Sequence, residues 1–225
     1  MADLSFQITG ARAEPYAAVP TLMLQLAIEE TTGQPIQAIA LRCQIQIEPH
    51  RRPHSGAEQA KLLEMFGPPG RWGDTVKPFL WTHASLMITG FSGATTVDLP
   101  MACTYDFEVA AAKYFAALDD GEIPLLLLFS GTIFTQGAGG AGFRIERVSW
   151  EKEAAFRLPV RLWREVMDRY FPGSAWIRLQ RESLDALQRF KAENALPTWD
   201  DALAALLAIA RAAEAANAST LEVPS

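Results

Sequence analysis

The chain has 225 residues, 49% hydrophobic and 20% charged, with a formal net charge of −6 and a pI near 5.2. That length allows one large domain or one domain with an appendage, and a mean hydropathy of +0.05 leaves room for a substantial core or a buried partner interface. The acidic balance excludes a general electrostatic pull on nucleic acid or anionic membranes.

The opening "MADLSFQITGARAEP" has no basic segment followed by an apolar one, so no signal peptide is expected. Leu4, Phe6 and Ile8 predict a short first strand. In "PTLMLQLAIEE", Leu22, Leu24, Leu26 and Ile28 share one face, with Thr21, Gln25 and Glu29 on the other. In "LRCQIQIE" the alternation is cleaner, with Leu41, Cys43, Ile45 and Ile47 opposed to Arg42, Gln44, Gln46 and Glu48. A period of two predicts strands with one buried face. The intervening "TTGQP" supplies turn chemistry, so these two strands are expected to pair as an antiparallel hairpin.

Ser55 and Glu58 fit a capping box, opening a short helix whose apolar face is Leu62, Leu63 and Phe66. Strands follow at Leu80–Ile88 and Thr95–Cys103. "EVAAAKYFAALDDG" predicts an alanine-rich helix closed by Gly121. The apolar run "PLLLLFSGTIF" predicts a central strand covered on both faces, Pro124–Phe134. Its longest unbroken apolar stretch is far too short to span a bilayer. A last strand, Phe143–Trp150, shifts its apolar phase midway, as a bulge would.

From Pro159 the spacing becomes helical, with Leu162, Trp163, Val166, Met167 and Tyr170 on one helix and Leu184, Leu187 and Phe190 on another. Thr198 predicts the N-cap of a third, with Leu203, Leu206 and Leu207 as its buried stripe. The expected architecture is α+β: a mostly antiparallel sandwich-like β-domain over residues 1–158, a helical segment over 159–213 packed on it, and a frayed tail over 214–225.

Chemistry-bearing residues are sparse. "HRRPH" holds His50 and His54 four apart, but Pro53 interrupts any helix and no third ligand is near, so a connecting loop is the reading favoured over a metal pair. Arg51 and Arg52 remain candidates for an anion contact. Cys43 and Cys103 are in phase with core residues and read as reduced, inward thiols. Ser130-Gly131 lacks the surroundings of a nucleophile elbow, and Gly131 reads better as a point of close backbone approach or a bulge. The loop "GAGGAG" lacks the lysine of a phosphate loop and reads as a hairpin connection. Asp119, Asp120 and Glu122 read as a solvated helix end. His83 falls in phase with Trp81, Ser85 and Met87, as a core or interface histidine. The segment "RWGDTVKPFLWTH" combines Arg71, Trp72, Lys77, Phe79, Trp81 and His83, and is the leading candidate for a protein-binding surface.

The strings "ALRCQIQIEP", "FGPPGRWGDTVKPFLWTH", "DLPMACTYDFEVAAAKYF", "GEIPLLLLFSGTIF" and "FRLPVRLWREVMDRYFP" together resemble an uncharacterised bacterial family. Its genes are associated with clusters for uptake NiFe-hydrogenases, and the resemblance runs from Leu4 to Leu207. It implies a hydrogenase neighbourhood and brings no assigned activity, hence no catalytic residues to carry over. A metal carrier would show clustered Cys or His, which this chain lacks. The expectation is a non-enzymatic cytoplasmic accessory or assembly protein without cofactor, whose partner is a hydrogenase subunit or maturation factor. The alternative is an enzyme or small-ligand binder with a pocket between β-domain and C-terminal helices, using His83, Asp106, Glu108 and Arg157. A third reading is a structural subunit that forms homo-oligomers through strand edges or its helical layer.

Overall fold

In the computed structural model, which describes residues 2–104, 109–137, 142–174 and 177–221, the alternating segments become β-strands. They are β1 (Leu4–Ala13), β2 (Thr21–Glu30), β3 (Ile36–Ile47), β4 (Phe79–Phe91), β5 (Ala94–Ala102), β6 (Glu122–Gln136), β7 (Phe143–Arg147) and β8 (Glu153–Pro159). One sheet has the order β1-β2-β5; the other has β4-β3-β6-β7, with β8 beside the first half of β6. Every pairing is antiparallel. Helices α1 (Gly56–Lys61), α2 (Leu63–Phe66), α3 (Trp72–Thr75), α4 (Ala110–Ala117), α5 (Val160–Tyr170), α6 (Arg181–Glu193) and α7 (Trp199–Leu221) complete an α+β fold.

The two sheets face each other across the apolar residues that the alternation marks. Leu22, Leu24, Leu26 and Ile28 of β2 are at most 1% exposed. At about 1.5–3 kcal/mol per buried side chain, these four contribute on the order of 10 kcal/mol before chain entropy is subtracted. Phe6 of β1 stacks on Phe129 of β6, with centroids 4.4 Å apart and planes 16° from parallel. That ring pair bridges the two layers.

The expected hairpin between the second and third strands does not form. β2 pairs with β1 and β5, whereas β3 pairs with β4 and β6, so "TTGQP" crosses from one sheet to the other. The crossing is organised by Glu30, 4% exposed, whose carboxylate accepts the amides of Asp3, Thr32 and Gln34 and the Thr32 hydroxyl. A side chain that satisfies three backbone donors holds this corner in place of a two-strand ladder.

Helices α1 to α5 gather at the end of the sandwich where β3 stops and β6 begins. Leu118 O accepts the Arg164 guanidinium, Val160 N donates to Gly121 O, and the Tyr170 hydroxyl donates to Ala17 O at 2.7 Å. α5 therefore belongs with the β-strands: one compact unit is Met1–Ile177 and a second is Arg178–Ser225. The boundary lies beyond residue 159 because Val160, Trp163, Val166 and Met167 give α5 a face buried in the β-domain core.

Several local expectations are revised. α4 ends at Ala117 with an extended Leu118, so Gly121 is not its cap; its positive φ of 89° instead starts the turn into β6. β6 is buried on one face only, its other face carrying half-buried Leu126 and Leu128 and exposed Ser130. β7 stops at Arg147 with an unbroken register against β6, so the phase shift there is a strand end and not a bulge. Phe143 and Ile145 point to solvent, and Trp150 lies beyond the strand, 90% exposed. β8 escapes the sequence reading although its covered Ala154, Phe156 and Leu158 alternate with exposed Glu153, Ala155 and Arg157. Leu63 is 53% exposed while Leu62 and Phe66 are buried.

Gly131 is where the backbone geometry demands glycine. Its φ is 151°, and a Cβ built there would stand 2.2 Å from Ala40 O of β3. The close approach expected from the sequence is present.

Candidate functional site

The loop "HRRPH" leads into a densely bonded polar corner. Ser55 caps α1: its hydroxyl accepts Glu58 N at 3.1 Å, and Glu58 Oε2 accepts Ser55 N at 2.9 Å. Glu58 does more than cap. Its carboxylate also accepts Arg52 Nη2 at 2.9 Å and Asp119 N at 2.9 Å, linking this loop to the end of α4. The two side chains are 9% and 4% exposed. Burial raises the Glu58 pKa, but the Asp119 and Ser55 amides and the Arg52 charge outweigh it, so the net shift is downward.

Arg52 is thus committed to an internal carboxylate, and Arg51 Nε lies 3.1 Å from Glu48, whose side chain is 5% exposed. Neither arginine of the candidate anion contact is without a counter-charge. His54, half-buried, places Nε2 3.0 Å from the Tyr114 hydroxyl and meets Trp72 edge-on at 5.3 Å. Burial and the Arg52 charge hold its pKa below the ordinary histidine value. Among the described residues no group of three or more His, Cys, Asp or Glu is placed to hold a metal ion.

The aromatic side chains of the Trp72–His83 segment turn inward. Trp72 donates its indole N–H to Gly67 O at 2.8 Å and meets Phe66 edge-on. Phe79 meets Tyr114, and Trp81 meets Phe115 at 4.8 Å, which in turn meets Trp163 of α5. These rings are the apolar filling under α1 to α5. Arg71, Lys77 and His83 remain exposed. His83 does not share a face with Trp81, because the β3–β4 register slips between Ile45 and Gln46 and leaves Trp81 as the extra residue. His83 accordingly faces solvent beside Ser85 and Met87.

The polar groups of the ligand-binding alternative do not meet where they can be placed. His83 aligns across the sheet with Gln44, Leu128 and Glu153, whereas Arg157 aligns with Pro124. Three strand spacings of about 4.8 Å and four residues of about 3.4 Å separate them, on the order of 20 Å. Asp106 and Glu108 lie outside the described residues. Arg157 instead borders a shallow depression of about 450 Å³ with Glu48, Arg51, Pro124 and Phe156. A second open depression, about 550 Å³, lies between Asp120 and the mixed-charge face of α5.

Cys43 and Cys103 are free and buried, and desolvation pushes both thiols up to about 12. They are inert core residues, as the phase of their strands implies. Asp119 lies half-exposed against Lys61 at 2.6 Å, and Asp120 and Glu122 are exposed. Ser130 stands exposed within β6, with no turn into a helix beside it. Most of "GAGGAG" lies outside the described residues.

The helical unit holds a feature that its periodicity concealed. Thr198 caps α7 as expected, its hydroxyl accepting Asp201 N at 3.0 Å. The stripe below it is not buried: Leu203, Leu206 and Leu207 are 38%, 37% and 57% exposed, and Trp199, at the start of the helix, is 44% exposed. Ala202 is fully covered, and Lys191 of α6 lies over the Trp199 ring at 5.6 Å. Amphipathic spacing reveals an apolar face, not whether anything covers it. Among the described residues, no helix is long and apolar enough to cross a membrane.

Likeness to solved structures is slight. The CARDB domain of a Pyrococcus furiosus protein, solved in complex with di-metal ions, aligns over 70% of this chain and 92% of its own, at 7% identity and a TM-score of 0.27. A beta-glucosidase from Kluyveromyces marxianus aligns over 69% of this chain at 8% identity and a TM-score of 0.26, and beta-glucosidase 3B from Thermotoga neapolitana over 69% at 14% and 0.23. This chain spans only 15% and 17% of those two enzymes. At such scores the likenesses carry no argument about fold or function. No curated protein matches the sequence. A family model does match residues 1–215, and the chain belongs to that family, DUF6084, a family of unknown function.

Proposed function

We propose that this protein is a non-enzymatic accessory or assembly factor that acts in the cytoplasm by contact with another protein, and that the partner belongs to a NiFe-hydrogenase system, as a subunit or maturation factor. The observation that supports contact is the exposed apolar face of α7, where Leu203, Leu206 and Leu207, three and four residues apart, are 38%, 37% and 57% exposed. Contiguous apolar surface on a helix is costly to leave in water and is a common feature of protein-binding faces. The placed polar groups support the same reading, since Arg51, Arg52, Glu48 and Glu58 neutralise one another and both thiols are held protonated. The hydrogenase assignment rests on the sequence resemblance described above.

The contact surface in this proposal is α7 and not the Trp72–His83 segment, whose aromatic side chains are engaged beneath the helices. Affinity capture of the tagged full-length chain from its native host tests the reading. Stoichiometric recovery of hydrogenase subunits or maturation factors is expected. Recovery of the chain without them, from cells expressing the hydrogenase, would contradict it.

A further inference from the structure

A different surface is the outer edge of β7, which pairs with no other strand among the described residues. Gly137 N donates to Gly142 O, and Val148 N donates to Gly131 O, each at 3.0 Å. With the unbroken register between β6 and β7, these bonds fix the alternation: residues 142, 144, 146 and 148 turn their N–H and C=O groups toward β6. Those of Phe143, Ile145 and Arg147 therefore point away from the sheet. β8 joins β6 farther along, from Leu128↔Glu153 to Glu122↔Pro159, and leaves this stretch of edge open.

The three outward-pointing residues are symmetric about Ile145. We propose that two copies of this chain associate through this edge, β7 running antiparallel to β7 about a two-fold axis at Ile145. Ile145 then lies opposite Ile145, and Phe143 lies opposite Arg147 twice. All three are hydrogen-bonded pairs, giving about six N–H···O=C bonds across the axis.

The side chains fit the same register. Arg144 falls opposite Glu146 of the second copy, twice, in the closely spaced pairs. Glu146 is 5% exposed at its side chain, and its Oε2 accepts Ala2 N at 2.7 Å. Its Oε1 lies 3.0 Å from its own Arg144 Nε yet accepts no aligned hydrogen bond. The Arg144 guanidinium of the second copy sets a further opposite charge across the strand from this carboxylate. On the outer face, Phe143 and Ile145, 71% and 67% exposed in the single chain, gain an Ile–Ile contact and an arginine across each Phe143 ring. Moving the axis to Arg144 or Glu146 would set like charges against each other, so the sequence "FRIER" selects the register as well as the edge.

Light scattering on the eluting full-length chain, over a wide concentration range, reads the outcome. The wild type is expected to reach twice the 24.7 kDa chain mass. Ile145→Lys and Ile145→Glu, at an exposed position outside the core, should each give folded monomers, because like charges then meet on the axis. An equimolar mixture of the two variants should restore the doubled mass, since opposite charges meet there. Amide exchange at Phe143, Ile145 and Arg147 should slow in the wild-type dimer and speed up on dilution. A wild type that stays monomeric, dimers that survive in the single variants, or variants that fail to recombine would each overturn the proposal. None of these results depends on the partner proposed for α7.

Discussion

Arg52 and Glu58 form an ion pair at 2.9 Å with both side chains almost sealed from water, and the carboxylate also accepts the amides of Ser55 and Asp119. One residue thereby anchors the start of α1, the end of the β3 loop and the segment after α4. Removing the cation leaves a buried charge with only its amide donors. Arg52→Ala is expected to destabilise the β-domain by about 3 kcal/mol, read as a lower urea midpoint. A shift within the noise of surface substitutions would show that the amides alone suffice.

Acid should weaken this corner in two steps. The folded-state pKa of His54 is lowered, by burial first and then by Arg52. The unfolded chain therefore binds more protons, and the stability linked to His54 is complete above its unfolded pKa of about 6.5 and falls as pH drops through the folded value. Glu58 is also lowered, so its contribution is present above about pH 4.5 and is lost as pH falls through its folded pKa. Urea midpoints across pH should slope in both windows. His54→Gln should flatten the upper one and Glu58→Gln the lower; unchanged slopes would contradict the assignment.

Both cysteines should be silent in the native protein. Cys43 and Cys103, each pushed up to about 12, have almost no thiolate at mildly alkaline pH. Alkylation is expected to be negligible until denaturant is added, then to reach two equivalents per chain. Rapid native labelling of either would contradict its burial.

Gly131→Ala places a methyl group where Ala40 O already stands and forces a side chain onto φ 151°. The strands must separate locally, at a cost of about 3 kcal/mol or more. Thermal unfolding of the variant should shift down by many degrees, and a near-native midpoint would mean that β3 and β6 yield there easily.

The strands were legible where one face is buried and the other wet, as in β2 and β3. Their partners were not, because alternation says nothing about which sheet a strand joins; the decisive residue is Glu30, whose acceptance of three amides looks like an ordinary charged strand end. The capping box at Ser55 and Glu58 was legible, but the reach of Glu58 to Asp119 depends on chain folding over a long separation. Trp81 defeats the reading of β4 because a bulge reverses phase without leaving a mark in composition. On α7 the spacing gave the apolar face correctly and its burial wrongly, since coverage depends on neighbours that periodicity cannot see.

The central claim, action by protein contact through α7, is tested most directly by parallel affinity captures from the hydrogenase-expressing host. The baits are the wild-type chain, a Leu203→Glu/Leu207→Glu variant, and a Met87→Glu control carrying its charge on β4. Hydrogenase components should come down with wild type and control in equal amounts and be reduced at least tenfold with the α7 variant, about 1.4 kcal/mol or more of lost binding. Equal recovery by all three baits would contradict α7 as the contact surface, and no hydrogenase component with any bait would contradict the proposed partner.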